Sequence, residues 1–327
     1  MGKLVEQTLR TMYQGVSRQP DTVRLPGQVE EAENVLFSVV SGGFTKRPGT
    51  QFVADVQLDP VDATDHAFHS YERDTNEKYL IVIGKDTNDT GNGGRCNIAI
   101  FDPSGTAYSL TAGTTALEYL STDNPSQDLS FATTGDVTFI ANKLKTVLMY
   151  EDGTFHHDTM PHQLVREAAE AIIPSPDFVG KGISDITFFR NRFSFVSDET
   201  VFFSASGDYV NFWPKTEGQV IDSDPFGRTA SSSQVNKLRH VVAFRKALFC
   251  SAESSQLELS GDPAVTPTTT TIDVATQYTS EPLCRPIGFR DELYFASRSG
   301  SSAVLFEYFY SDKSVGHTAS DVLIHAS

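Results

Sequence analysis

The residue types in this chain best suited to holding a metal are His156, His157 and His162, because neutral imidazole is a common zinc ligand. No acidic or cysteine partner stands at a recognised spacing, and Pro161 interrupts any helix that would align the three, so no metal site is assigned. Asp86-Thr87-Asn88-Asp89-Thr90-Gly91 begins like a calcium loop. Its twelfth position is Asn97 where a bidentate Glu is required, and the stretch reads as a solvated turn. Asn88-Asp89-Thr90 also fits the glycosylation sequon, which matters only in a secreted protein. Nucleophile elbows, Walker loops, dinucleotide fingerprints and zincin motifs are absent from the sequence. Glycoside hydrolysis needs two converging carboxylates, and with 42 Asp+Glu the sequence alone selects no pair. Thr266-Pro267-Thr268-Thr269-Thr270-Thr271 reads as the approach to a strand on an exposed edge. The expectation is therefore no catalytic residue, no cofactor and no enzyme.

The 327 residues are 39% hydrophobic and carry 26 Lys+Arg against 42 Asp+Glu, a formal charge of −16. This is a globular composition with material for one large or two medium domains. Strong acidity argues against an electrostatic clamp on nucleic acid, which gains affinity by replacing phosphate counterions with Lys and Arg. Cys96, Cys250 and Cys284 are odd in number and far apart, which builds no disulfide framework and offers no paired zinc spacing. They read as reduced, mostly buried thiols. The longest clean apolar run, Tyr79 to Ile83, fills one strand and falls far short of the roughly 20 residues that span a bilayer. The amino terminus matches neither a secretory signal nor a myristoylation motif, so the expected site of synthesis and assembly is a cytoplasm.

What would position any function is a set of short strands. Asn97 to Phe101, Asp136 to Ile140 and Val201 to Ser204 alternate in hydrophobicity between Gly, Pro, Asp and Asn. Asp102-Pro103-Ser104-Gly105 supplies a hairpin turn. Helical spacing predicts one helix over Gln163 to Ile173 and, more weakly, a second over Gln28 to Leu36. Phe189-Arg190, Phe244-Arg245 and Phe289-Arg290 each precede apolar residues four and six positions after the Phe. With a looser copy at Phe139, the spacings are 50, 55 and 45 residues. Periods of about 40 to 50 residues in all-β sequence belong to propeller blades, and a β-sandwich with chance Phe-Arg turns is the alternative. The expected fold is all-β: propeller-like blades of short antiparallel strands, an amino-terminal extended arm, and one or two short helices. Residues 1–63 are assigned to the arm or platform segment, 64–311 to the unclosed propeller-like domain, and 312–327 to the start of a following, truncated segment. Ser206-Gly207-Asp208 leading to Trp213 is loosely similar to the structural turn motif of sialidase propellers without matching its order.

The amino-terminal motif is the most distinctive stretch. Gly15-Val16-Ser17-Arg18-Gln19-Pro20-Asp21, then Arg24-Leu25-Pro26-Gly27-Gln28, Asn34, and Gly43-Phe44-Thr45-Lys46-Arg47-Pro48-Gly49 run in order. Asp136 to Asn142, Ser206 to Pro214, and Leu238-Arg239-His240 with Phe244 follow. In these segments the chain resembles the tail nozzle proteins, or tail tubular proteins B, of short-tailed podovirus-type bacteriophages. The resemblance implies a virion tail protein assembled in the host bacterial cytoplasm. It further implies a hexameric ring of self-copies below the adaptor, tail tubular protein A, which extends the ejection channel for double-stranded DNA and helps seat a tail fibre protein. Relatives are considerably longer, so the chain is expected to be a fragment or one product of a split gene.

Residues assigned to assembly are Gly15, Ser17, Gln19, Pro20, Arg24, Pro26, Lys46, Arg47, Pro48 and Gly49. Prolines and glycines there fix extended segments between sharp turns. Two readings stand: an arm docking on another subunit, and a terminal strand completing the chain's own sheet. Excess acidity suggests a channel wall that repels passing phosphates rather than retaining them. The alternative function is a propeller that binds or hydrolyses host surface polysaccharide.

Overall fold

The structure, a computed structural model, describes residues 14–17, 19–38, 40–54, 61–86, 96–108, 110, 114–145, 176–214, 219–230, 237–261, 264–300, 302–311 and 316–322. A hairpin, β1 (Val35–Ser38) and β2 (Gly43–Lys46), comes first. The first sheet contains β3 (Val61–Glu72), β4 (Lys78–Asp86), β5 (Cys96–Phe101) and β6 (Ala107–Tyr108). Two helical turns, α1 (Thr114–Tyr119) and α2 (Pro125–Asp128), lead to a two-stranded second sheet, β7 (Leu129–Thr134) and β8 (Val137–Asn142). The third sheet is β9 (Asp185–Phe189), β10 (Arg192–Ser197), β11 (Thr200–Phe203) and β12 (Phe226–Thr229). The fourth is β13 (Leu238–Phe244), β14 (Ala247–Ala252), β15 (Gln256–Gly261) and β16 (Thr270–Thr276). The fifth is β17 (Ile287–Phe289), β18 (Glu292–Ser299), β19 (Ser302–Ser311) and β20 (Gly316–Asp321).

Every four-stranded sheet is an antiparallel meander in chain order. Consecutive sheets touch through their first strands, β3 to β7 to β9 to β13 to β17, and through the last strands β12, β16 and β20. The chain is thus an all-β fan of small sheets that share a side, the propeller-like arrangement expected from the period.

The cause lies in the two apolar faces of each sheet. Phe189, Val196, Val201 and Phe203 on the third sheet bury against Leu238, Val241, Leu248 and Leu257 of the fourth. Val242, Phe244 and Phe249 of the fourth pack against Leu293, Phe295 and Tyr308 of the fifth. Between the second and third, Phe139 stacks on Phe193 at 4.8 Å. A face buried on each side makes β10 and β14 buried throughout, as central layers require.

The Phe-Arg dipeptides mark the turn joining the first two strands of the third, fourth and fifth sheets. Arg190, Arg245 and Arg290 have φ of 45°, 53° and 56°, the left-handed region that a tight hairpin demands at its first turn position and that is costly for a residue with a Cβ. The looser copy is shifted. Phe139 lies on the second strand of its sheet, and the equivalent turn is Gly135-Asp136, where Gly takes φ of 53°.

Two other expectations change. Gln28 to Leu36 is not helical: Val29 bridges Val16, Asn34 turns left-handed at φ 57°, and Val35 opens β1. Thr266 and Thr270 are buried rather than set on an exposed edge, because their hydroxyls satisfy the turn itself. Thr266 Oγ1 accepts from the Thr269 N–H at 3.2 Å, and the Thr270 hydroxyl donates to the Thr266 carbonyl at 2.7 Å. The 102–105 turn forms as expected, with Asp102 Oδ1 accepting from the Ser104 and Thr106 N–H groups at 2.9 and 2.8 Å. Cys96 and Cys250 are buried and Cys284 is exposed, all three free. The helix expected over 163–173, the three histidines at 156, 157 and 162, and most of the calcium-like loop lie outside the described residues.

Candidate assembly surface

The amino-terminal motif separates into two physically different parts. In the first, the chain closes on itself. The Val29 N–H donates to the Gly15 carbonyl at 2.9 Å, and the buried Ser17 donates its N–H to the Val29 carbonyl at 2.8 Å. Pro20 starts a tight turn whose carbonyl accepts from Val23 and Arg24. Arg24 then clamps the loop, donating to the Gln19 carbonyl and pairing with Asp21, each at 2.9 Å. Pro26 sits in a second turn, in which the Leu25 N–H donates to Gln28 Oε1 at 3.0 Å. Gly15, Ser17, Gln19, Pro20, Arg24 and Pro26 are thereby brought together in one loop closed by its own hydrogen bonds, with Arg24 Nε left buried without an acceptor among the described residues.

The second part faces outward. Lys46, Arg47, Pro48 and Gly49 are all exposed at the end of β2 and beyond it, and Lys46 and Arg47 have no ion pair among the described residues. Only the Arg47 N–H is engaged, with the Asn34 carbonyl at 2.8 Å. Around them Leu36, Val40, Phe44, Phe52 and Val53 are exposed, Phe44 by 52% and Phe52 by 79%. Single exposed apolar residues are ordinary; here several fall within one short segment beside two cations that have no ion pair among the described residues, which makes the segment a candidate for docking.

Where the arm meets the first sheet, Val53 and Ala54 line a cleft of about 320 Å³ with Ser70, Leu80 and Phe101. Ala54 lies so close to Gly105, itself at φ 86°, that no Cβ fits there. The cleft's carboxylates are already engaged: Glu72 pairs with Lys78 at 3.4 Å and Asp102 holds its own turn.

A second polar feature ties the inner strands together. Asp185, fully buried at the start of β9, accepts from the Val241 N–H of β13 at 3.0 Å, and its Oδ2 lies 3.1 Å from Arg285 Nε. His240 Nδ1 is 3.7 Å from the same oxygen, while His240 Nε2 meets the Pro282 carbonyl at 2.9 Å. Burial opposes ionisation of Asp185, but His240, Arg285 and the Val241 N–H outweigh it and hold the carboxyl below its usual range. Nearby, burial lowers the pKa of Lys143 and of His69, and Arg285 lowers both further. Arg192 is buried too. Its guanidinium donates to the carbonyls of Ser204, Asp224 and Asp222, and to Val265 of the fourth-sheet loop at 3.1 Å. Burial, helped by the charge of Asp185, pushes the Cys250 thiol up to about 12, which makes it inert.

Sequence reasoning missed both networks. Asp185 and Arg285 are far apart in the chain, and no local pattern joins them. Arg192 sits in plain view beside the Phe189-Arg190 turn, where alternation with the apolar Phe193 and Phe195 marks an inward face. Ser206 to Trp213, by contrast, serves the turn it was read as. Gly207, at φ 75°, donates its N–H to the Asn191 carbonyl at 2.9 Å, and Tyr209 donates to Asn191 Oδ1 at 3.0 Å.

Among the described residues no group of three or more His, Cys, Asp or Glu side chains converges as a metal site. No helix among them is long and apolar enough to cross a membrane.

Comparison with known proteins adds the following. The chain is 30% identical over 186 residues to the tail tubular protein gp12 of Escherichia phage T7, a match covering 51% of this chain and 23% of that protein. It therefore spans less than a quarter of that relative. Among solved structures it is similar to PorZ, a surface component of the type-IX secretion system of Porphyromonas gingivalis, with a TM-score of 0.34 and 12% identity. That similarity covers 75% of this chain and 31% of PorZ. The family model of the bacteriophage nozzle protein matches residues 2–154 and 170–327. With nearly its whole length accounted for, the chain belongs to the bacteriophage nozzle protein family, structural proteins of the phage tail.

Proposed function

We propose that this chain is a wall element of the tail conduit, assembling as a hexameric ring under the adaptor, passing double-stranded DNA without binding it specifically, and contributing to the seat of the tail fibre. The observation that carries the reading is the outward half of the arm, where exposed Phe44 and Phe52 flank unpaired Lys46 and Arg47 on a chain of net charge −16. The outward stretch from 35 to 54 carries Lys46 and Arg47 and no Asp or Glu, so a cationic, apolar segment on an otherwise acidic chain is complementary to the acidic surface of another copy. Gly15, Ser17, Gln19, Pro20, Arg24 and Pro26 form the base that aims the arm, and Lys46, Arg47, Pro48 and Gly49 make the contact. The arm assigned to residues 1–63 gives way to the body at β3, which already starts at Val61, and β20 carries the body past residue 311.

The excess Asp and Glu face the lumen of the ring, so that the duplex is kept from the wall within about 10 Å of it. A reconstruction with a net positive bore contradicts this part. For the assembly itself, the chain mixed with the adaptor sediments as a ring, and K46E/R47E remains at the mass of a single subunit. A wild-type chain that never leaves subunit mass and instead releases reducing sugar from host polysaccharide overturns the reading in favour of a glycan-acting propeller.

A further inference from the structure

The fan obeys a rule that its last sheet leaves unfulfilled. In the third and fourth sheets, the face that follows the Phe-Arg turn is covered by the next sheet, and its key positions correspond through the strand register. Thr187, Val242 and Ile287 stand two residues before the turn Phe, paired across the strands with Ser194, Phe249 and Tyr294. Phe189 is 6% exposed beneath the fourth sheet, and Phe244 packs into the cluster shared with the fifth. On the fifth sheet Phe289 is 59% exposed and Ile287 is 68% exposed.

The arginines follow the same rule. Arg190 Nη2 donates to the carbonyl of Lys246 at 3.2 Å, and Arg245 Nη2 donates to the carbonyl of Asp291 at 2.7 Å. Each acceptor is the second residue of the next sheet's turn. Two sheets before Arg190, at the turn of the first sheet, Arg73 Nε meets the side-chain carboxylate, not the carbonyl, of Asp136, again the second turn residue, at 3.0 Å. The series skips the turn with Gly135, where Gly207 takes the Asn191 carbonyl instead. Arg290 adopts the same left-handed φ and lies over its own Phe289 ring at 5.2 Å, as Arg190 and Arg245 lie over theirs. It has no hydrogen-bond acceptor among the described residues. The conformational cost is carried at this turn without the inter-sheet bond that accompanies it at the two preceding ones.

We propose that Ile287, Phe289, Arg290 and Tyr294 form the docking site for a sixth antiparallel sheet of the same module, carried by nozzle sequence that this chain does not span. The first strand of that sheet lies beside β17, its leading face carries the large apolar residues that Leu293 and Phe295 supply in the fifth sheet, and the second residue of its turn presents a carbonyl to Arg290. A second copy of this chain is the weaker occupant, because the corresponding face of its first sheet already holds Val53 and Ala54 against Leu80, Phe101 and Gly105. This inference rests on the tail reading above for the source of the sheet, not for the existence of the site.

The test is a side-chain-resolution reconstruction of purified tails containing the wild-type chain, paired with incorporation of F289D and R290A. Expected is an antiparallel sheet of other polypeptide on β17 with a turn carbonyl within hydrogen-bond distance of Arg290. F289D is expected to enter tails at least tenfold less, although its free form melts with the wild type because residue 289 is exposed there. Tails that contain the chain but leave Phe289 in solvent, or cover it with a second copy of residues 1–327 or with a helical partner, overturn the proposal while sparing the tail reading. Tails that lack the chain overturn both.

Discussion

The boundary between the third and fourth sheets and the outward half of the arm are opposite solutions to the same problem. At the boundary every large apolar group has a partner, the charges of Asp185 and Arg192 are enclosed by donors and acceptors, and β10 and β14 are buried from end to end. In the arm, a two-stranded hairpin exposes Leu36, Val40 and Phe44, and Lys46 and Arg47 have no ion pair among the described residues. A lone two-stranded hairpin is marginal in water. The difference separates the region where burial concentrates from the region whose exposed surface the proposed assembly would use.

Truncating Arg192 to Ala should break the comparison most sharply. Four carbonyls lose a charged donor in a closed space, and at about 1–3 kcal/mol for each buried group left unsatisfied the loss is on the order of 3 kcal/mol or more. A clear fall in the urea midpoint is expected, and an unchanged midpoint would show that the boundary is not where stability resides.

Asp185→Asn is expected to cost less, about 1–2 kcal/mol, since the partly exposed Arg285 regains water. Its pH dependence carries a signature. The folded carboxyl titrates below its ordinary 3.8, so as pH falls through that value the unfolded chain takes up the proton first. Stability from this group is full above about pH 4 and declines as pH falls toward the depressed folded value. Wild type should lose stability over that acid range more steeply than D185N, and parallel curves would remove the carboxylate from the account. His69, with a folded pKa below 6.5, gives a loss of the same sign beginning nearer neutrality and common to both proteins.

The smallest effect on folding belongs to the arm. K46E/R47E should shift the midpoint by no more than about 0.5 kcal/mol, as surface substitutions without partners do. A large loss of stability would place those cations inside the fold's own energetics and erase the contrast.

How much of this is legible in the amino-acid sequence depends on the range over which each feature is encoded. The Phe-Arg modules were legible because turn, alternation and period repeat within about fifty residues. The copy at Phe139 was misaligned because an aromatic was followed where the turn, Gly135-Asp136, was the true landmark. Gln28 to Leu36 has helix-forming composition, but pairing of Val29 with Val16 and of β1 with β2 overrides propensity. The amino-terminal motif was recognisable as a unit, while its division into a self-closed loop and an exposed contact strand depends on Arg24 reaching Gln19 and Asp21. Networks such as Asp185 with Arg285 join elements from separate sheets and leave no local trace.

Hydrogen exchange of the same chain, measured free and within intact tails, tests the division of labour most directly. Amides of β1, β2 and β17 should gain strong protection on incorporation, while those of β10 and β14 stay as slow as in the free chain. An arm that exchanges equally fast in both states, with the gain confined to the inner sheets, would contradict it.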